Sequence, residues 1–190
     1  MLEVAAAILK FPRDHSGVVL EAGCYKGGST AKLSLCAALT GRRLVVFDSF
    51  EGIPENDEVQ QDFTNTKSVF VKGQYAGSLE EVKRNIAEYG DPSVCEFVKG
   101  WFCDTLPGFK DPIAVAYLDV DLVSSTRDCL KHLHPHLVQG GTIFSQDGHL
   151  SNVIALLTDD TFWRTDVGVA RPSMQGLGQR KLVAIGASGS

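Results

Sequence analysis

Apolar residues in this chain fall into short unbroken runs separated by stretches of helical spacing. The runs are residues 18–22, 44–48, 94–98, 113–119 and 141–145. Each has the length of a strand and is apolar on consecutive positions, the signature of a strand buried on both faces of a parallel sheet. Between the runs, residues 29–39, 78–89, 124–133 and 150–157 place apolar side chains at helical spacing, and residues 1–10 form an amphipathic helix candidate. Gly41 and Pro135 act as stops, and Ser78 with Glu81 gives the third helix a capping box. Residues 165–169 and 181–186 read as two further strands around the turn Gly176-Leu177-Gly178. No full helix separates them, so they predict an antiparallel hairpin at one edge. Residues 49–72 are polar, contain Pro54 and lack a period, which predicts a long loop or lid. The pattern as a whole predicts one α/β domain over residues 1–190: a seven-stranded, mostly parallel sheet with helices on both faces.

A chain of 190 residues can bury one full core. Its 44% apolar and 22% charged content is ordinary for a globular protein, and the net charge of −5 offers no electrostatic grip on nucleic acid. Five cysteines, an odd number without a C-x-x-C pair, argue against a disulfide scaffold or zinc knuckle and suit a reducing compartment. Cys36, Cys95 and Cys129 fall on apolar patterns and read as core. No apolar run approaches the ~18 residues of a membrane span, and the first residues lack a basic n-region and cleavage site. The expectation is a cytoplasmic protein with a small-molecule partner and neither a nucleic-acid nor a membrane partner.

The densest chemistry lies in Val18-Val19-Leu20-Glu21-Ala22-Gly23-Cys24-Tyr25-Lys26-Gly27-Gly28-Ser29-Thr30. A strand ends in an acid, turns on glycines and enters a helix. In an open α/β sheet this crossing holds the ligand. Gly23, Gly27 and Gly28 let backbone approach a bound molecule, and Ser29 and Thr30 are expected to cap the helix. The helix N-terminus favours a carboxylate or phosphate, whereas Glu21 favours an amine or hydroxyls. A ligand with an ammonium, a carboxylate and a ribose satisfies both. The dinucleotide pattern G-x-G-x-x-G is not met, because no second glycine follows Gly23-Cys24.

Acids end four strands: Glu21, Asp48, Asp119 with Asp121, and Asp147. In a parallel sheet these share one rim, where they repel unless cations or ligand donors lie between them. Asp48 suits the hydroxyls of a ribose. Asp119, Asp121 and Asp147 could surround Mg²⁺, with Gln146 adding a neutral oxygen. A carboxylate beside the metal, Asp121, or the nearby His149, could take a proton from an acceptor hydroxyl. Asp121 could instead cap the following helix with Ser124, and His149 could be a polar loop residue. His132, His134 and His136 overlap a helix end and Pro135, and splay rather than converge on a metal. Trp101 could offer a flat wall to an adenine ring or simply pack in the core. Phe162 and Trp163 read as core.

The order Glu-x-Gly-x-x-x-Gly-Gly-Ser, then Phe47-Asp48-Ser49-Phe50-Glu51-Gly52-Ile53-Pro54, then Val98-Lys99-Gly100-Trp101-Phe102-x-Asp104-Thr105-Leu106-Pro107, then Leu118-Asp119-x-Asp121-Leu122-x-x-Ser125-Thr126, then Gly140-Gly141 resembles the macrocin O-methyltransferase family. The resemblance covers residues 18–150. It implies a Rossmann-like class I methyltransferase fold that uses S-adenosylmethionine, with Mg²⁺, to methylate hydroxyls on sugars of natural products. Candidate cofactor contacts are Glu21, Gly23, Tyr25, Gly27, Ser29, Thr30, Asp48, Ser49, Gly100, Trp101 and Asp119. Candidate metal ligands are Asp119, Gln146 and Asp147, and the catalytic candidates are Asp121 and His149. Two departures stand out. Gln146-Asp147 replaces the family's Asp-Asp pair, which removes one negative ligand. The family also carries a longer N-terminal region, so residues 1–17 are expected to be a helix remaining from a lid, with a homodimer one way to complete the pocket. Alternatives are a non-catalytic domain keeping the cofactor pocket and an NAD-dependent oxidoreductase, which the missing glycine disfavours.

Overall fold

The computed structural model describes residues 1–62 and 64–187. Its main sheet is built from β1 (Val18–Ala22), β2 (Leu44–Asp48), β5 (Cys95–Lys99), β6 (Ile113–Leu118), β7 (Leu137–Ser145), β8 (Met174–Gln175) and β9 (Val183–Gly186). Their spatial order is β5-β2-β1-β6-β7-β9-β8. The first five are parallel, and β9 pairs antiparallel with both β7 and β8. Every residue of β1 and β6 is buried. These two neighbours lie in the interior of the sheet, which is why they are apolar apart from Glu21 of β1.

Alternate side chains along each strand feed two separate cores. Leu20 and Ala22 of β1 join Cys129, Leu130 and Leu133 of α5 (Val123–Leu133), Val153 and Leu157 of α6 (Ser151–Thr158), and Phe162 and Trp163. Val19 of β1 joins Val4 and Ile8 of α1 (Leu2–Lys10), Leu33 and Ala37 of α2 (Gly28–Thr40), and Val82 and Ile86 of α3 (Leu79–Tyr89). Burying one such Leu or Ile is worth roughly 1.5–3 kcal/mol, so each face holds several helices without help from propensity. Ser78 Oγ accepts the Glu81 N–H and opens α3 as its capping box predicts. Arg42 holds the segment after α1, donating to the carbonyls of Pro12, His15 and Gly17 at 2.6–3.0 Å while stacking on Phe11.

Three expectations change. Residues 165–169 are not a strand. A short helix, α7 (Asp160–Phe162), continues into a wide helical turn over Trp163–Val167, which Gly168 ends at φ +86°. Burial of Phe162 and Trp163 against the first core outweighs the strand preference of Thr165, Val167 and Val169. The antiparallel partner of β9 is instead β8, further along. The 49–72 segment is also not simply a loop: β3 (Val59–Gln61) and β4 (Lys67–Val69) pair as a small antiparallel ribbon. The ribbon leans on α6, where Asn152 Nδ2 donates to the Val59 carbonyl and Asp62 bridges to Leu150. Finally, Ser29 and Thr30 do not cap α2. The cap position is Gly27 at φ +82°, and no side chain accepts from the first turn. Among the described residues, no helix is long and apolar enough to cross a membrane.

Candidate active site

The chain runs outward from β1 to β2 and β5, then returns to β6 beside β1. That reversal opens a crevice at the carboxyl ends of β1 and β6. A cavity of about 750 Å³ occupies it. Its walls are the turn after β1 (Gly23, Cys24, Tyr25), the start of α2 (Gly28, Ser29, Lys32) and the turn after β2 (Asp48, Ser49, Gly52, Ile53, Pro54). The turn after β5 (Gly100, Trp101, Phe102, Cys103), the end of β6 with its following turn (Tyr117, Asp119, Val120, Asp121) and the start of α5 (Ser124, Ser125, Asp128) complete it. Met1 and Tyr75 also reach it. Four carboxylates face this space and one lysine, Lys32.

The first half of the cavity is a backbone construction. Gly23 sits at φ +82°, and a Cβ there would overlap the Asp119 carbonyl, lying 2.9 Å from its carbon. The missing side chain therefore lets the ends of β1 and β6 close on each other, rather than making room for a ligand. Asp48 ties two turns together: its carboxylate accepts the N–H of Cys24 and the N–H of Phe50, each at 2.7 Å. The start of α2 faces the cavity without a side-chain cap, so its first N–H groups and the positive dipole end are available to an anionic ligand group.

Glu21 lies beneath this floor and does not line the cavity. It is fully buried on the second-core face of β1. Burial pushes its carboxyl up to about 7, and the hydroxyls of Ser29 and Thr30 facing it offset part of the rise. Gly27 and Thr30 also lie outside the lining. Gly27 packs against Val82 of α3, and Thr30 is buried over Glu21. Of the cofactor candidates, Gly23, Tyr25, Ser29, Asp48, Ser49, Gly100, Trp101 and Asp119 line the space.

The second half is acidic. Asp119, Asp121 and Asp147 each offer a carboxylate oxygen, all within 4.8 Å of one another. Asp147 is buried, and its Oδ2 accepts the N–H groups of Val120 and Asp121 at 3.2 and 3.1 Å. Burial, then the charges of Asp119 and Asp121, push its carboxyl up to about 8. Asp121 is raised to about 6 by burial and then by Asp119. Asp119 is held above its ordinary value by desolvation, partly offset by the Tyr117 hydroxyl and by Lys181. Tyr117 donates to Asp119 Oδ2 at 3.3 Å. Asp121 sits at φ +60°, as Tyr25 and Tyr75 sit at +50° and +58°. Three non-glycine residues held left-handed around one cavity mark a site whose geometry the surrounding fold imposes.

Gln146 and His149 lie outside the cavity lining. The Gln146 N–H continues the sheet ladder to Leu118. Past the Gly148 turn, His149 faces Asp62 and Lys181, and burial lowers its basicity. His132 and His136 are half-buried, and His134 packs edge-on against Trp163, bonding the Gly186 carbonyl. The three imidazoles do not converge. Asp121 does not cap α5 either. That task falls to Glu58, whose carboxylate accepts the N–H groups of Val123 and Ser124 at 2.7 and 3.1 Å. Sequence reasoning missed Glu58, Tyr117 and Asp128. Tyr117 had a visible signal, since it lies two residues before Asp119 in the apolar run 113–119, a spacing that puts both side chains on one side.

Residues 3–175 match the family described as Macrocin-O-methyltransferase (TylF). A 4'-O-methyltransferase of Streptomyces olivaceus acting on 8-demethyl-8-(2,3-dimethoxy-α-L-rhamnosyl)-tetracenomycin C is 38% identical over 141 residues. Demethyldecarbamoylnovobiocin O-methyltransferase of Streptomyces niveus is 34% identical over 144 residues. Each alignment covers 69% of this chain and 52% of the relative, so the chain spans about half the length of the curated relatives it matches. In three dimensions the O-methyltransferase NovP superposes with a TM-score of 0.77 at 24% identity, over 99% of this chain and 79% of that one, a likeness of fold. The matched residues include the glycine turn, the Asp48 turn and the Asp119–Asp121 turn that together build the cavity, and the chain belongs to the macrocin O-methyltransferase family.

Proposed function

We propose that this protein transfers the methyl group of S-adenosylmethionine to a hydroxyl of a neutral small molecule, a sugar or sugar-bearing natural product. One arrangement carries this reading: a helix N-terminus left open by Gly27 faces the same cavity as Asp119 and Asp121, with Asp147 buried directly behind them. The family implies the donor, which supplies an electrophilic methyl on a sulfonium. The start of α2 suits the donor's carboxylate, and the free lone pairs of Asp48 suit its ribose hydroxyls. Trp101 and Phe102 offer ring faces to its base. Glu21 acts from below by supporting the first turn of α2.

The acceptor fits the other end. Tyr25 and Tyr75 meet edge-to-face at 5.8 Å, and with Ile53 and Pro54 they give an apolar wall. The carboxylates beyond disfavour an anionic acceptor. Asp121 is the base: it lines the cavity, and a carboxyl titrating near 6 accepts a proton better than an ordinary aspartate.

The cluster also fits a divalent cation. Three hard oxygens lie within 4.8 Å of one another, and burial first, then their repulsion, raises the proton affinities of Asp121 and Asp147. Asp119, Asp121 and Asp147 would hold Mg²⁺, which when bound would lower the pKa of the acceptor hydroxyl. With or without metal, holding hydroxyl and methyl in line supplies most of the acceleration.

Calorimetric titration of S-adenosylhomocysteine into the protein, in Mg²⁺ and again in EDTA, tests the reading. The expected result is binding with a Kd on the order of micromolar in both buffers, with a separate Mg²⁺ isotherm that the acidic cluster generates. No binding in either buffer overturns the methyl-transfer reading, and no Mg²⁺ isotherm overturns the metal site alone.

A further inference from the structure

Glu58 belongs to the 49–72 segment, yet it caps a helix 65 residues further along the chain. Its two oxygens take the N–H groups of the first two residues of α5, and Gln60 Nε2 donates to the same carboxylate at 2.8 Å. The α5 cap position, Leu122, offers no side chain for the purpose. Immediately before it stands the turn that carries Asp121 at φ +60°, closed by a 2.6 Å bond from the Leu122 N–H to the Val120 carbonyl. One carboxylate therefore fixes both the start of α5 and the segment that borders the cavity through Gly52, Ile53 and Pro54.

We propose that Glu58 is a positioning residue for the acceptor half of the site. It latches the 49–72 segment to α5 and thereby holds the left-handed Asp121 turn in register with the cavity wall. This rests on the methyl-transfer reading for its effect on turnover, though the latch itself does not. The hydrogen bonds of Glu58 run to Asn56, Gln60 and the start of α5, and none to Asp48 or the Gly23–Tyr25 turn, so donor binding is expected to be largely independent of it. A carboxylate with two acceptors bridges both N–H groups. A carboxamide keeps one oxygen and holds one of them. A methyl group holds neither.

Hydrogen exchange of residues 49–62 and 120–126 is compared in the whole protein and in Glu58→Ala and Glu58→Gln, alongside S-adenosylhomocysteine affinity and acceptor kinetics. The latch predicts faster exchange in both segments at once for Glu58→Ala, with Glu58→Gln intermediate. It also predicts S-adenosylhomocysteine affinity within about twofold of the parent, and kcat for the acceptor reduced on the order of tenfold with partial rescue by glutamine. Unchanged exchange in either segment overturns the latch, whatever the activity. Altered exchange with unchanged kcat and KM shows a structural cap and overturns the positioning role. A parent protein that binds S-adenosylhomocysteine but turns over no acceptor counts against the methyl-transfer reading and leaves the exchange experiment to decide the latch.

Discussion

Asp147→Asn is expected to make the metal-free protein more stable, although Asp147 is buried at the centre of the site. An acid whose pKa in the folded state lies above its unfolded value costs stability wherever the unfolded chain would ionise it. For Asp147 the ordinary value is 3.8 and the folded value is about 8, set first by burial and then by Asp119 and Asp121. The cost is absent below pH 4, grows as pH rises and levels off above pH 8. At pH 7 the interval is about three pH units, and at 1.36 kcal/mol per unit the ceiling is about 4 kcal/mol. The carboxamide keeps one oxygen for the N–H groups of Val120 and Asp121, but it accepts them less strongly than a charged group. A net gain of about 2 kcal/mol is therefore expected, a rise in melting temperature on the order of 5 °C for a domain of this size. Thermal unfolding followed by circular dichroism in EDTA between pH 4 and pH 8 reads it directly. The gap between variant and parent should close as pH falls toward 4. Added Mg²⁺ should stabilise the parent and leave the variant nearly unmoved. A variant that melts at or below the parent at pH 7.5, or a gap independent of pH, refutes the account of the acidic cluster.

Asp121→Asn should reduce methyl transfer by several orders of magnitude while S-adenosylhomocysteine affinity stays within a few-fold, measured by single-turnover assay and calorimetry. In the parent, turnover without added metal should fall as pH drops below about 6, because a protonated Asp121 accepts nothing. Unchanged turnover in the variant removes Asp121 from the mechanism. Gly23→Ala meets the Asp119 carbonyl and a φ of +82°, so it should cost about 3 kcal/mol in urea unfolding and weaken cofactor binding, since the ends of β1 and β6 must part. A parent-like midpoint would show that the two strand ends are not in contact.

The parallel half of the sheet was legible because its interior strands, β1 and β6, are buried along their whole length and are apolar but for Glu21. The rim acids were legible for the same topological reason: a strand apolar to its last residue advertises whatever follows it. What a polar residue does at that rim was less so. Glu21 and Asp48 both stand at a strand's end, yet the pleat of β1 buries the first beneath the floor, while the second ends β2 and faces the cavity. His149 looked close to the chemistry because it follows Asp147 by two residues, but Gly148 turns the chain toward Asp62 and Lys181. The ribbon of β3 and β4 escaped notice because strands of three residues carry too little alternation to see. The Glu58 cap escaped because nothing local links a glutamate to a helix 65 residues away. The false strand at 165–169 came from β-branched residues whose preference a buried Trp163 overrode.

The place of β9 has a consequence for biosynthesis. It follows β7 and β8 in the chain, yet it lies between them in the sheet. Until Val183–Gly186 emerge from the ribosome, β7 presents an open edge bearing Ile143 and Phe144, and β8 has no neighbour in the sheet. An exposed apolar edge of that kind recruits other chains. A nascent chain ending at residue 180 would hold every strand-end acid of the cavity and still be the form most prone to aggregate. Arrival of β9, more than completion of the site, would therefore limit the yield of folded protein.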